Sequence, residues 1–459
     1  MRFKTLLIAA LIVSLGGMAF AELQNVELGG SIRIRGNYFN MDSLRDSSYV
    51  EQRTRLNVKA DFTQDVSAFI EFDSYGFWGE GFRSNYLTGA DARGNSDVAL
   101  YQAYIEARNL WGTPLSLRVG RQEIALGSQM LVGTNDYSYN FSGLSFDALR
   151  LTFANDYVNI DAIAAKLAET VSDFGDDDVD MYAVYGSYIG IEDVTLDAYW
   201  VFIRDDQQTD LRMRSILQDL DAYWVFIRDD QGALANILRN GTTVDIHTLG
   251  LRGAGVISGF DFDVEAAYQF GDVDGIKQPW FRWKRSADVE YAEWAVNAEV
   301  GYTFDMTLQP RVFARFAYFG GGDPDTSCWS NDADRPFNRL FSNNQYSQFL
   351  DFNRNMSNFL AYTLGVSAMP TEAIELKLVG SFYESDQRAG NSGRSLGWEV
   401  GLFADYNYSE DLVIRGGYSH FFGRKGLSGD VIVNNGLFGW PGEKKDDYDY
   451  VFIETELAF

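Results

Sequence analysis

Arginine recurs at two-residue spacing in the first strand-like segments of this chain, as Arg33 with Arg35 and Arg53 with Arg55. Side chains two apart on a strand share a face, so each pair presents two guanidinium groups to one surface. A guanidinium donates two parallel hydrogen bonds to a carboxylate, and rings of such residues select anions in pores. Arg108, Arg118, Arg121 and Arg150 extend the set, and these eight arginines are the candidate substrate-binding residues. Other chemistry is thinly represented. Two histidines, His247 and His420, and one cysteine, Cys328, leave little for a zinc site, a disulfide framework or a Ser/His/Asp triad. No catalytic residue, cofactor or metal site is expected, and an outer-membrane hydrolase built on either histidine is the weaker alternative.

The elements that must position the arginines are strands. Val26, Leu28, Ile32, Ile34 and Tyr38 alternate with Glu27, Ser31, Arg33, Arg35 and Asn37, and the pattern repeats over 50–62 and 66–78. Further alternating segments lie near 98–109, 114–122, 144–154, 157–167, 180–190, 194–204, 242–255, 260–271, 289–304, 310–320, 357–369, 374–385, 396–408, 411–422 and 447–459. Such period-two segments, about ten residues each, are the signature of a transmembrane antiparallel up-and-down β-barrel, here with about 18 strands. Short connections (TQD, AND, ISG, TEA, SED) alternate with long ones (79–97, 272–288, 321–356, 423–446), as periplasmic turns alternate with outer loops. Tyr38, Trp78, Trp200 and Tyr318 at one end of the apolar rows, and Tyr157, Tyr302, Tyr406 and Tyr408 at the other, read as two interfacial girdles. The seven prolines fall in turns, loops or strand ends, sparing the hydrogen-bonded ladder.

Residues 1–21 carry Arg2 and Lys4 ahead of an apolar run that ends Ala19-Phe20-Ala21, the pattern of a secretory signal peptide, leaving 22–459 as the barrel. The expected location is a Gram-negative outer membrane, with lipid around the wall and an insertion machinery reading the last strand, which ends in Phe459. A net charge of −27 argues against nucleic-acid binding. LDAYWVFIRDDQ occurs at both 196–207 and 220–231, and one copy is expected in the wall with the other in an enlarged outer loop. Asp173, Asp176, Asp177, Asp178 and Asp180 form an acidic outer segment, read as solvated rather than as a calcium loop.

The run LRVGRQEIALGSQMLVGTNDYS (117–138) followed by LSFDALRLTF (144–153) resembles the alginate-export family of outer-membrane barrels, with Ala148 where glycine is usual. VEAAYQFG (264–271), GGGDPDT with FNRLF (337–341), NFLAYTLGVSAMP (358–370) and LGWEVGLFADYNY (396–408) extend it across nearly the whole chain, with Gly401 at a position that is often Asp. The resemblance implies a monomeric 18-stranded channel that passes hydrophilic solutes, anionic polysaccharide among them. A general diffusion porin and a plugged structural or adhesive barrel stay open beside it.

Strand parity predicts the lumen lining. Early strands turn Arg33, Arg35, Arg53, Arg55, Lys59, Arg108, Arg118 and Arg150 inward, with Arg121 just past a strand end. Later ones turn in Asp261, Asp263, Glu265, Glu293, Glu299, Glu399, Asp405, Glu454 and Glu456, relieved by Arg311, Arg315, Lys377 and Arg415. A basic wall then faces a more acidic one. Its arginines have carboxylate partners available in Glu51, Glu71, Asp73 and Glu106, and Glu454 and Glu456 are expected opposite Arg33 and Arg35 across the closing seam.

Overall fold

Alternation of apolar and polar side chains carries the chain through nineteen strands among the residues that the computed structural model describes. These are 24–41, 46–78, 98–136, 143–169, 178–205, 243–274, 288–322, 332–350, 356–387, 393–427 and 447–459. The first nine strands are β1 (Asn25–Met41), β2 (Ser47–Asp61), β3 (Val66–Phe77), β4 (Ala99–Ala107), β5 (Leu115–Gln122), β6 (Phe146–Ala154), β7 (Val158–Ala168), β8 (Val179–Ile191) and β9 (Val194–Asp205). The remainder are β10 (Thr243–Ile257), β11 (Phe260–Asp274), β12 (Asp288–Thr303), β13 (Arg311–Phe319), β14 (Asp332–Arg335), β15 (Phe359–Thr371), β16 (Ile374–Glu384), β17 (Ser395–Asn407), β18 (Leu412–Gly423) and β19 (Tyr448–Ala458).

Eighteen of these pair antiparallel, each with its neighbours in sequence, and β19 closes on β1. The exception is β14, a four-residue strand inside the region expected to be loop, which pairs parallel with the start of β12. At the seam Arg33 stands opposite Glu456 and Arg35 opposite Glu454, the expected register. A closed sheet leaves no edge, so every wall strand satisfies its backbone groups within the ladder.

β15 shows how side chains divide between the two surfaces. Phe359, Ala361, Thr363, Gly365 and Ser367 point inward and are buried, while Tyr362, Leu364 and Val366 between them face outward and are exposed. The same division on every wall strand leaves a continuous apolar exterior, with Leu28, Ile105, Leu251, Leu364 and Ile453 all more than 60% exposed. An apolar band of that extent is stable against hydrocarbon, not water. Both expected girdles hold their positions on this exterior, Tyr302, Tyr406 and Tyr408 by the short turns and Tyr38 and Trp78 by the long connections.

Residues 196–205 of the first repeat copy lie in β9, so that copy is in the wall. The second copy (220–231), residues 1–21 expected as a signal peptide, Asp173, Asp176, Asp177 and Cys328 lie outside the described residues. Asp178 and Asp180 each pair with Lys166 at 2.8 Å.

Candidate functional site

After β5 the chain does not rise away from the barrel. Residues 123–136 turn into the lumen, driven by apolar residues with nowhere else to go: Ile124, Met130, Leu131 and Val132 are all buried. The turn is closed by hydrogen bonds from Leu126 N to Val132 O (3.0 Å) and from Gln129 N to Leu126 O (2.9 Å), with Gly127 supplying a left-handed φ of +55°. At its far tip Ser128 Oγ donates to Glu265 on β11 at 2.5 Å, and the other Glu265 oxygen accepts from Tyr199 on β9 at 2.6 Å.

The segment then returns to the basic wall and ends on Asp136. Its carboxylate accepts from Arg53, and from Arg55 Nη1 at 3.0 Å, while its backbone oxygen accepts from Arg33 Nη1 at 2.8 Å. Three of the eight predicted arginines, from β1 and β2, thus converge on one aspartate, two on its carboxylate and one on its backbone oxygen. Arg55 also lies 3.5 Å from Glu123, 3.8 Å from Asp73 and stacks over the Tyr101 ring, 3.9 Å from its centroid. Neither Asp136 nor Glu123 was among the candidate residues, because their arginine partners lie 68 or more positions away in sequence. Their signal was an apolar MLV run inside a connection. Glu123, beyond the end of β5, has its carboxyl pushed above the usual range by burial, an effect that the hydrogen bond from Tyr101 and the charge of Arg55 offset only in part.

A second segment, 336–350, enters from the opposite side. Phe337, Arg339 and Leu340 are buried, and Ser347 Oγ donates to Glu399 on β17 at 2.6 Å. Glu399 also accepts from Gln348 N (2.9 Å), Tyr383 OH (2.9 Å) and Ser419 Oγ (2.5 Å). Phe349 packs on Phe421 and Tyr448, ring centroids 4.7 and 4.5 Å apart. The two segments join mid-lumen in a parallel bridge between Val132 and Phe341, with Asn343 Nδ2 donating to Gln129 at 2.9 Å. The region expected only as an outer loop therefore contributes to the constriction.

The other predicted arginines are each engaged by acids. Arg35 pairs with Glu454 at 2.6 Å, Arg118 and Arg108 share Glu106 at 3.0 and 3.3 Å, and Arg150 grips Asp161 with two bonds of 2.9 and 2.7 Å. Arg108 lies just past β4 at the periplasmic end and is the most exposed of these. Arg121 is a correction. It lies within β5, on the outward row with Val119, and forks onto Asp147 at 2.8 Å, because Arg118 and Gln122 hold the inward parity. Glu51 and Glu71 also differ from expectation: Glu51 accepts from Asn37 and Tyr75, and Glu71 from Gln102. On the acidic side Arg252, absent from the predicted lining, bridges Asp197 and Asp263, and Arg311 bridges Asp261 and Glu299. The lumen is a lattice of charge pairs rather than two bare walls of opposite sign. The histidines stand apart on the exterior: His247 stacks 4.3 Å from Phe202, and His420 Nδ1 lies 2.7 Å from Asp449.

A family model described as alginate export matches residues 24–434. The chain belongs to the alginate export family. Solved structures from Pseudomonas aeruginosa share the fold of this alginate export family member: OpdL (TM-score 0.55, 10% identity, 95% of this chain and 99% of that one) and OccK8 (OprE) (0.54, 14%, 94% and 98%). OccK11 (OpdR) aligns with a TM-score of 0.52 at 11% identity over 94% and 96%. A search of curated proteins finds no match. Family and fold together make the chain an outer-membrane channel protein, and its candidate site is the constriction formed by two inward segments and the Arg33, Arg53 and Arg55 cradle.

Proposed function

We propose that the barrel passes hydrophilic anionic solutes, carboxylated saccharides being the class whose chemistry fits the cradle best. The observation that carries this is Asp136: Arg53 and Arg55 already hold its carboxylate, and Arg33 holds its backbone oxygen with the carboxylate 3.7 Å away. Two nitrogens of Arg55, Nε and Nη2, have no hydrogen-bond partner among the described residues, so donor capacity is left over. A solute carboxylate arriving at this point competes with Asp136 on equal chemical terms and meets a site whose geometry is already formed. Transport is passive, with the charge lattice providing alternating weak sites rather than one deep trap.

A general diffusion porin is the second reading, favoured by the thorough pairing of the lumen charges, which leaves little net field to discriminate between solutes. Reversal potentials across planar bilayers under a salt gradient separate the two. The anionic-solute channel gives anion preference that falls when Arg53 and Arg55 are replaced together by alanine, and the general porin gives none in either protein.

A further inference from the structure

Below the inward 336–350 segment, the lumen wall carries a feature that ion selection does not use. One register row crosses β19, β18, β17 and β16 as Phe452, Gly417, Phe403 and Lys377. All four positions have inward parity. A Cβ at Gly417 would collide with both rings, so the glycine is what lets Phe452 and Phe403 lie down over the wall, centroids 6.4 Å apart and tilted 36°. Each of the two residues is half-buried on the inward row of its strand. The Arg35 guanidinium, itself held by Glu454, lies 5.3 Å from the Phe452 centroid, and Lys377, the exposed residue next to Phe403 in the row, carries its ammonium over Phe313, 4.9 Å from that ring's centroid.

We infer that Phe403 and Phe452 form a stacking platform for the sugar rings of a saccharide, placed on the periplasmic side of the constriction, with the exposed Lys377 nearby to meet a carboxylate on the same ligand. Pyranose rings expose C–H faces that pack flat on aromatic rings, and an aqueous channel for small ions has no reason to expose two phenylalanines side by side. The platform lies about 13 Å along β17 from Glu399, four residues at strand rise, and so clears the 336–350 segment docked there. Above it the aromatic surface continues beneath that segment: Phe452 stacks on Tyr450 at 5.6 Å, and Tyr450 on Phe39 at 4.7 Å.

This platform rests on the saccharide reading above, and the test keeps the two apart. Full-length channels in planar bilayers are exposed from the periplasmic side to an oligogalacturonate and to a neutral malto-oligosaccharide, and the lifetimes of current blockades are measured. Phe403→Leu with Phe452→Leu keeps side-chain bulk and removes the flat faces, so lifetimes for both probes shorten by about threefold to tenfold, while Phe403→Tyr with Phe452→Tyr restores them. Unchanged lifetimes in the leucine variant overturn the platform alone, as does an equal loss in the tyrosine variant, which would mark a packing defect. If neither probe blocks the native channel, the saccharide reading fails and the platform with it.

Discussion

Asp136, where the 123–136 segment returns to the wall, keeps a side chain 28% exposed and is held by three arginines; Glu399, where the 336–350 segment docks, is 6% exposed and is held by neutral donors. Both segments occupy the same lumen and touch at Val132 and Phe341. Their attachments nonetheless respond to different variables. A charged, partly wetted contact weakens with salt and can be replaced by a competing anion, whereas a buried carboxylate with four neutral donors has no competitor in solution. The 336–350 segment is thus a fixed part of the pore, and the Asp136 end of its partner is the exchangeable one.

The largest effect is expected on the fixed side. Glu399→Ala leaves Ser347, Ser419, Tyr383 and the Gln348 amide without their acceptor, and each stranded buried donor costs on the order of 1–3 kcal/mol. The 336–350 segment is expected to undock, seen as a rise in single-channel conductance and new protease sensitivity there. A variant that keeps native conductance and protection would break the contrast.

Asp136→Ala comes next. It removes about 1–3 kcal/mol of charge-assisted bonding and leaves Arg33, Arg53 and Arg55 facing the lumen with less opposing charge, so anion preference rises. Tracer fluxes of chloride and sodium measure it. Salt sharpens the same comparison in the native protein: the Debye length falls from about 10 Å at 0.1 M to about 3 Å at 1 M. Proteolysis within 123–136 increases over that range, and proteolysis within 336–350 does not.

Glu123 gives the smallest and most local effect. Its carboxyl is raised on docking, so the docked segment binds a proton more readily than the undocked one. The stabilisation is complete below the ordinary carboxyl range and is lost as pH climbs through the raised value. Protection factors of the 124–132 amides, taken relative to intrinsic exchange at each pH, are expected to rise on acidification across that window, and Glu123→Gln removes the dependence.

The wall was legible in the sequence because its signal is local. Alternation in 26–38, 50–62 and 447–459 states both the strand and the side that each residue faces, so parity alone puts Glu454 and Glu456 on the same side as Arg33 and Arg35 at the seam. Arg121 was set just past a strand end although the alternating segment near 114–122 already contains it, and parity within that segment turns it outward beside Asp147. The constriction was legible only in part. Arg33, Arg53 and Arg55 stood out by spacing, but Asp136 sits in a connection with no period, and nothing local says that it returns across the lumen to β1 and β2. Glu399 was predicted to face inward, yet a buried acid serving as a dock for Ser347 differs from a lumen charge only through a contact 52 residues away in the chain.

Reversal potential across a planar bilayer under a tenfold salt gradient tests the central claim most directly. The native channel is predicted to prefer anions, with the preference reduced in Arg53→Ala/Arg55→Ala and increased in Asp136→Ala; cation preference in the native channel, or a potential indifferent to all three residues, would contradict the account.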